Sequence, residues 1–193
     1  MKIKMILVGL AVLFSCVSCD VAQQAQSAYN MVNCKYSYNS INNLTVNGMN
    51  LSQGLNLVNT AQVLALFSGN KSSIPLQFTL NLDVNNPNAT AAALSGMQYI
   101  LSIDDVEFTT GSLSQSLNIG AGETKVLPIS IGLDLASLMA GNSKDAVTNI
   151  AKNFLGVGNQ KSTVKLQLRP TFMVNNFPVT SPVYIPVSFS FGG

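Results

Sequence analysis

No histidine occurs among the 193 residues, and that absence removes a large block of chemistry. Ser-His and Cys-His nucleophile pairs and histidine metal sites cannot form, and the commonest general base near neutral pH is missing. Charge is scarce as well: Asp, Glu, Lys and Arg make up 9%, against about 25% in an average soluble protein. Hydrophobic residues reach 47%, which excludes a disordered chain, since those are poor in apolar residues and rich in charge. No unit recurs with a period of 20 to 50 residues, so a solenoid or propeller is excluded. No apolar run approaches the roughly 20 residues that span a bilayer as a helix.

What is present begins with a targeting signal. Lys2 and Lys4 give a positive start, Met5 opens an apolar run that ends at Phe14, and Ser15 precedes Cys16, the arrangement of a cleaved export segment. Leu13-Phe14-Ser15-Cys16 resembles the bacterial lipobox, in which the cysteine is lipidated and becomes the mature N-terminus. Cys16 is the expected site and Cys19, in a second register, the alternative. Several acyl chains together give stable anchoring where one is marginal, so the protein is expected on a membrane of a bacterial envelope, the outer one by this reading. Removing residues 1–15 takes away Lys2 and Lys4, leaving eight basic against eight acidic residues. A mature chain without net charge argues against a nucleic-acid partner held by long-range attraction. Cys19 and Cys34 then remain in a compartment that permits disulfides; they could pair, or one could sit in a tether and the other on a strand.

The expected organisation is a signal at 1–15, a lipidated tether at 16–33, in which 20–33 is a short helix or an extended spacer, and one β domain at 34–193. At its centre Leu76, Phe78, Leu80, Leu82 and Val84 alternate with Gln77, Thr79, Asn81 and Asp83, the period of two of a strand with one buried face. Pro87, flanked by asparagines, removes a backbone donor and stops the ladder. Tyr99, Leu101 and Ile103 alternate again before Asp104-Asp105, and Val106 and Phe108 start a return strand. Asn42-Asn43 and Asn47-Gly48 are expected to break the first strands.

Two or three short helices interrupt the strands. Leu57, Ala61, Leu64 and Ala65 share one face of a helix over 55–68, with Gly69-Asn70 as its stop. Asp134 caps a second over 135–140. Ser143 caps a third in which Val147, Ile150, Ala151, Phe154 and Leu155 recur at helical spacing, closed by Gly156 and Gly158. Pro182 and Pro186 put the final strand at a sheet edge or bulge. About seven to nine strands with sandwich-like turn spacing result, a mainly β chain folded as an antiparallel β-sandwich.

Leu80-Asn81-Leu82-Asp83-Val84-Asn85-Asn86-Pro87-Asn88, then Tyr99-Ile100-Leu101-Ser102-Ile103-Asp104, Gly111, Gly120-Ala121-Gly122-Glu123 and Val126-Leu127-Pro128-Ile129 resemble the water-stress and hypersensitive-response domain of the type-two late embryogenesis abundant proteins. The resemblance spans about residues 40–190, with 80–131 distinctive. It implies an immunoglobulin- or fibronectin-III-like sandwich with a helix, no catalytic centre, no cofactor, and protection of proteins or membranes during drying and freezing. The chain departs in Asp105, where a glycine is common, and in the helical insertion at 134–156.

Asp104, Asp105 and Glu107 form the one acidic cluster, and with Asn85 or Asn88 they are the candidate oxygen ligands for calcium; otherwise they are a solvated hairpin tip. Glycoside hydrolysis needs carboxylates facing each other across a cleft of roughly 5 to 9 Å, which neighbours at one turn do not provide. Tyr36, Tyr38, Tyr99 and Tyr184 are candidate stacking platforms for a glycan or contacts for a partner protein, against a default of half-buried strand tyrosines. No residue is assigned a catalytic role. The leading expectation is a non-enzymatic, membrane-anchored protective protein. Its rival is a cell-surface glycan- or peptide-binding module of an envelope assembly.

Overall fold

The structure is a computed structural model that describes residues 20–53, 56–68, 71–141, 144–154, 156 and 158–191. Residues 20–32 form helix α1. Then follow β1 (Lys35–Val46), β2 (Met49–Asn50), α2 (Leu57–Ser68), β3 (Pro75–Asn85), β4 (Ala92–Leu94), β5 (Gly96–Ile103), β6 (Val106–Leu113), β7 (Leu117–Ile119) and β8 (Thr124–Asp134). Helices α3 (Leu135–Gly141) and α4 (Lys144–Phe154) precede β9 (Ser162–Val174), β10 (Phe177–Thr180) and β11 (Ile185–Phe191). The described strands number eleven rather than seven to nine because β2, β4, β7 and β10 are only two to four residues long.

Two antiparallel sheets make the sandwich, one ordered β2-β1-β3-β8, the other β10-β9-β5-β6 with β11 also on β9. The alternation in β3 fixes which face is inside: Leu76, Phe78, Leu80, Leu82 and Val84 are all buried. They meet Leu127, Ile129 and Ile131 of β8, Met97, Leu101 and Ile103 of β5, and Val164, Leu166 and Leu168 of β9 in one core. Each such side chain removed from water contributes roughly 1.5–3 kcal/mol, enough together to offset ordering a chain this size. The opposite face of β3 is less wet than its pattern implies. Asn81 is buried and its Nδ2 donates to Ser40 Oγ at 3.1 Å, because β1 and β8 flank β3 on both sides.

Three two-residue hairpins turn through paired positive φ angles: Asn47 (48°) with Gly48 (80°), Asp104 (48°) with Asp105 (64°), and Asn175 (49°) with Asn176 (65°). That left-handed pair matches the twist of the flanking strands. Asn42-Asn43 does not break β1. It produces a register shift between Asn42 and Thr45, with Asn43 at φ 54°, so one bulged strand replaces the two short ones expected there.

Helix α2 forms as expected but buries another face. Val63, Leu66 and Phe67 are inside, whereas Ala61, Leu64 and Ala65 are exposed. Apolar residues surround this helix, so spacing alone could not select the buried stripe. Its stop at Gly69-Asn70 and the Ser143 cap of α4 lie outside the described residues. Asp134 caps α3 as expected: its Oδ1 accepts from Ala136 N at 2.8 Å and from Ile74 N at 2.9 Å, and Oδ2 accepts from Ser73 Oγ at 2.6 Å. Strand β11 pairs only with β9 and is an edge, where Pro186 is tolerated, and Pro182 lies before the strand.

Candidate functional site

The residues that carry the family resemblance gather at the end of the sandwich where β3 stops. Pro87 has no N–H to continue the ladder, and Asn86, fully buried, becomes the hub of the corner. Its Nδ2 donates to the carbonyls of Thr90, Ile119 and Gly120, each at 3.0 Å. Its Oδ1 accepts from Asn88 N at 3.1 Å and Asn88 Nδ2 at 2.7 Å. Its backbone N–H donates to Glu123 O and its carbonyl accepts from Gly122 N, both at 2.9 Å. Every polar atom of Asn86 is engaged inside the protein, which is what a buried amide requires.

The network continues into α1. Asn88 Nδ2 also donates to Asn30 O at 3.1 Å, and Asn30 Nδ2 reaches Thr90 Oγ1 at 2.7 Å and Ala91 O at 3.0 Å. Asn30 and Met31 are almost wholly buried, and Tyr36 Oη donates to Met31 O at 3.0 Å. Residues 20–32 are thus a helix docked on the sandwich, the first of the two forms open to this stretch from its sequence. The nearby turn has its own lock. Glu123 Oε2 accepts from Gly120 N at 2.8 Å and Gly122 takes φ 71°, a conformation glycine adopts without steric cost. Gly111 pairs across from Tyr99, whose ring occupies the space a Cβ at 111 would fill.

The acidic cluster does not converge. Asp104 Oδ1 accepts from Thr163 N at 2.8 Å, and Asp105 pairs with Lys165 across the strands in an exposed ion pair. These residues sit at the far end of β5 from the corner that holds Asn85 and Asn88. Asn85 Nδ2 instead donates to Thr124 Oγ1 at 2.9 Å. Among the described residues no group of three potential ligating side chains is placed to hold a metal ion, and Asp104, Asp105 and Glu107 act as the tip of a hairpin.

The four tyrosines are dispersed. Tyr99 is buried and burial pushes its hydroxyl pKa up. Tyr36 is shifted up further, by burial and then by the neighbouring Cys34. Tyr38 stacks on Phe189 with ring centroids 4.3 Å apart. Tyr184, 40% exposed, carries the Arg169 guanidinium 5.5 Å above its ring. It borders a shallow hollow of about 330 Å³ with Gln98, Thr110 and Ser112. Cys34 is buried beside Met31 Sδ at 4.0 Å, and burial raises its thiol to about 11, which makes it a poor nucleophile at neutral pH. Cys16, the lipidation site expected from the sequence, and its alternative Cys19 lie outside the described residues, and so does the Cys19 half of the possible Cys19–Cys34 pairing. No described helix is long and apolar enough to cross a membrane.

The reach of Asn86 Nδ2 across more than thirty residues was not legible as such, because a side chain bonding distant carbonyls leaves no local period. The docking of α1 through Asn30 escaped for the same reason.

Residues 81–188, more than half of the chain, match the family described as late embryogenesis abundant protein. Among solved structures the chain is similar to a protein from Archaeoglobus fulgidus, with 15% identity over 81% of this chain and 98% of that one and a TM-score of 0.40. It is similar to an Arabidopsis thaliana protein with 10% identity over 82% and 80% and a TM-score of 0.45. No curated protein matches the chain.

Proposed function

The chain belongs to the late embryogenesis abundant protein family, and from that premise we propose that it is a non-enzymatic, lipid-anchored protein of a bacterial envelope whose β-sandwich protects proteins or membranes when water is withdrawn. The observation that carries this reading is the use of the family residues. Asn86, Asn88 and Gly122 are engaged in holding the corner, and Gly111 makes room for the Tyr99 ring. They are structural, so the working surface is the rest of the exterior, which is low in charge and, by the sequence of residues 16–193, without net charge. Such a surface interacts weakly with many neighbours, a property suited to shielding rather than to selection of one ligand.

Two measurements test the proposal. Replacing Cys16 with Ser is expected to abolish acylation and move the protein from the membrane to the soluble fraction; unchanged partitioning with unchanged N-terminal mass would sink the anchor. A test enzyme dried with the protein is expected to keep more activity than one dried with an equal mass of serum albumin, and equal recovery would remove the protective role. The rival, recognition of a glycan or peptide, draws on the hollow beside Tyr184. Saturable binding to one glycan, lost in Tyr184→Ala, would favour it.

A further inference from the structure

The β9–β10 hairpin carries an apolar tip that the fold leaves uncovered. Val179 pairs with buried Phe172 and Phe177 pairs with Val174, so both lie on the sheet face that elsewhere packs into the core. Yet Phe177 is 69% and Val179 47% exposed, and Met173 on the other face is 43% exposed. The described residues leave these three side chains largely open at the end of the sandwich.

Two further observations indicate what covers it. Asn175, at the turn, donates its N–H to Gln24 Oε1 at 2.7 Å, and Gln24 and Ser27 line a groove of about 190 Å³ with Phe172 and Met173. The tip is therefore fastened to the early turns of α1. Asp20 comes four residue steps after Cys16, at most about 14 Å of chain, and Gln24 lies one helical turn, about 6 Å, beyond. A lipid on Cys16 holds Gln24, which bonds the hairpin turn, within about 20 Å of the attachment point, whereas β3 alone is roughly 36 Å long. Charge is also sparse here: residues 21–34 and 170–193 contain no Asp, Glu, Lys or Arg, with Asp20 at the start of α1. More of the charged side chains stand at the other end, among them Asp104, Asp105, Lys144, Lys152 and Lys165, while Asp20, Lys35, Asp83, Glu123 and Lys125 stand at the corner end.

We infer that the β9–β10 tip, through Phe177, Val179 and Met173, inserts into the interfacial zone of the bilayer to which the chain is anchored, as a second, non-covalent contact that fixes the sandwich upright on the membrane. Aromatic and aliphatic side chains on a neutral surface bind that zone by apolar burial, without anionic lipid. The inference rests on the proposed lipid anchor.

The chain has no tryptophan, so Phe177→Trp introduces a single reporter at an exposed position, and Glu107→Trp gives a matched reporter at the opposite end. Each full-length protein is placed, through its own anchor, in phosphatidylcholine vesicles with brominated acyl chains. The Phe177→Trp emission is expected to shift to the blue and be quenched relative to unbrominated vesicles, unchanged by added salt, while the Glu107→Trp emission stays unshifted and unquenched. Equal behaviour of the two reporters in membrane-bound protein overturns the insertion and leaves the anchor standing. Protein that stays out of the vesicles with Cys16 intact overturns the anchor itself, and that result is read by flotation before any emission is recorded.

Discussion

The two ends of the sandwich are closed by different physics. At the corner end three amides, Asn30, Asn86 and Asn88, donate to backbone carbonyls of α1, of the loop before β4, and of the segment leading into β8. At the helix end the closure is apolar. Phe154 of α4 packs against Phe78 at 5.1 Å and edge-on against Phe191 at 5.1 Å, above Leu135 and Ala151, and directed bonds are fewer, chiefly those of Asp134 and the Asn153 Nδ2 bond to Ser162 Oγ at 3.0 Å. Hydrogen bonds fix position and direction but tolerate no change of atom type. Aromatic packing is non-directional and tolerates substitutions that keep volume. The corner end is thus expected to be chemically intolerant and the helix end sterically intolerant.

The largest effect should follow Asn86→Ala. It removes the Asn86 bonds to three carbonyls and to two Asn88 donors, of which Thr90 O and Asn88 Nδ2 keep Asn30 as a second partner, and each buried group left orphaned costs about 1–3 kcal/mol. A loss of about 3–5 kcal/mol in urea unfolding is expected, with Asn86→Leu no better, because a similar volume without donors satisfies no carbonyl. At the helix end Phe154→Ala should cost less, about 2–3 kcal/mol, since the ring is partly exposed and its removal orphans no polar atom. Phe154→Leu should restore more than half of that. If Leu rescues position 86 as well as it does 154, the contrast between the two ends is lost.

The same contrast explains what the sequence disclosed. Elements set by local rules were legible: the alternation that buries Leu76 to Val84 in β3, the Asp104-Asp105 turn, the Asp134 cap and the edge position of the proline-bearing β11. The period of two or 3.6 and the capping chemistry act within a few residues, so the pattern contains them. Features set by tertiary contact were not. The buried stripe of α2 was misassigned because Val63, Leu66 and Phe67 differ little in polarity from Leu64 and Ala65. Strand β10 was missed although Asn175-Asn176 between Val174 and Phe177 is a two-residue turn, since Pro178 and its short length masked the alternation. The calcium candidates read as a cluster because Asp104, Asp105 and Glu107 are close in sequence. In the fold Thr163 and Lys165 of β9 take the first two, and Asn85 and Asn88 lie at the other end.

The smallest predicted effect concerns the capping carboxylate of the helix end. The Asp134 carboxylate is held below its ordinary value, first by the Ile74 N–H, then by the Ser73 hydroxyl, with Ala136 and Ser137 N–H groups adding to this and partial burial opposing it. A carboxyl whose folded pKa is lower than its unfolded one contributes stability that is fully present above the unfolded value, near 3.8, and is lost as pH falls through the folded one. The urea midpoint should therefore drop between pH 5 and pH 2.5. Asp134→Asn keeps an acceptor for Ile74 but no charge to protonate, so it should start slightly less stable at pH 7 and lose less across the same range. A drop of equal size in both proteins would assign the acid sensitivity to another group and leave the Asp134 cap without an ionic contribution to the closure of the helix end.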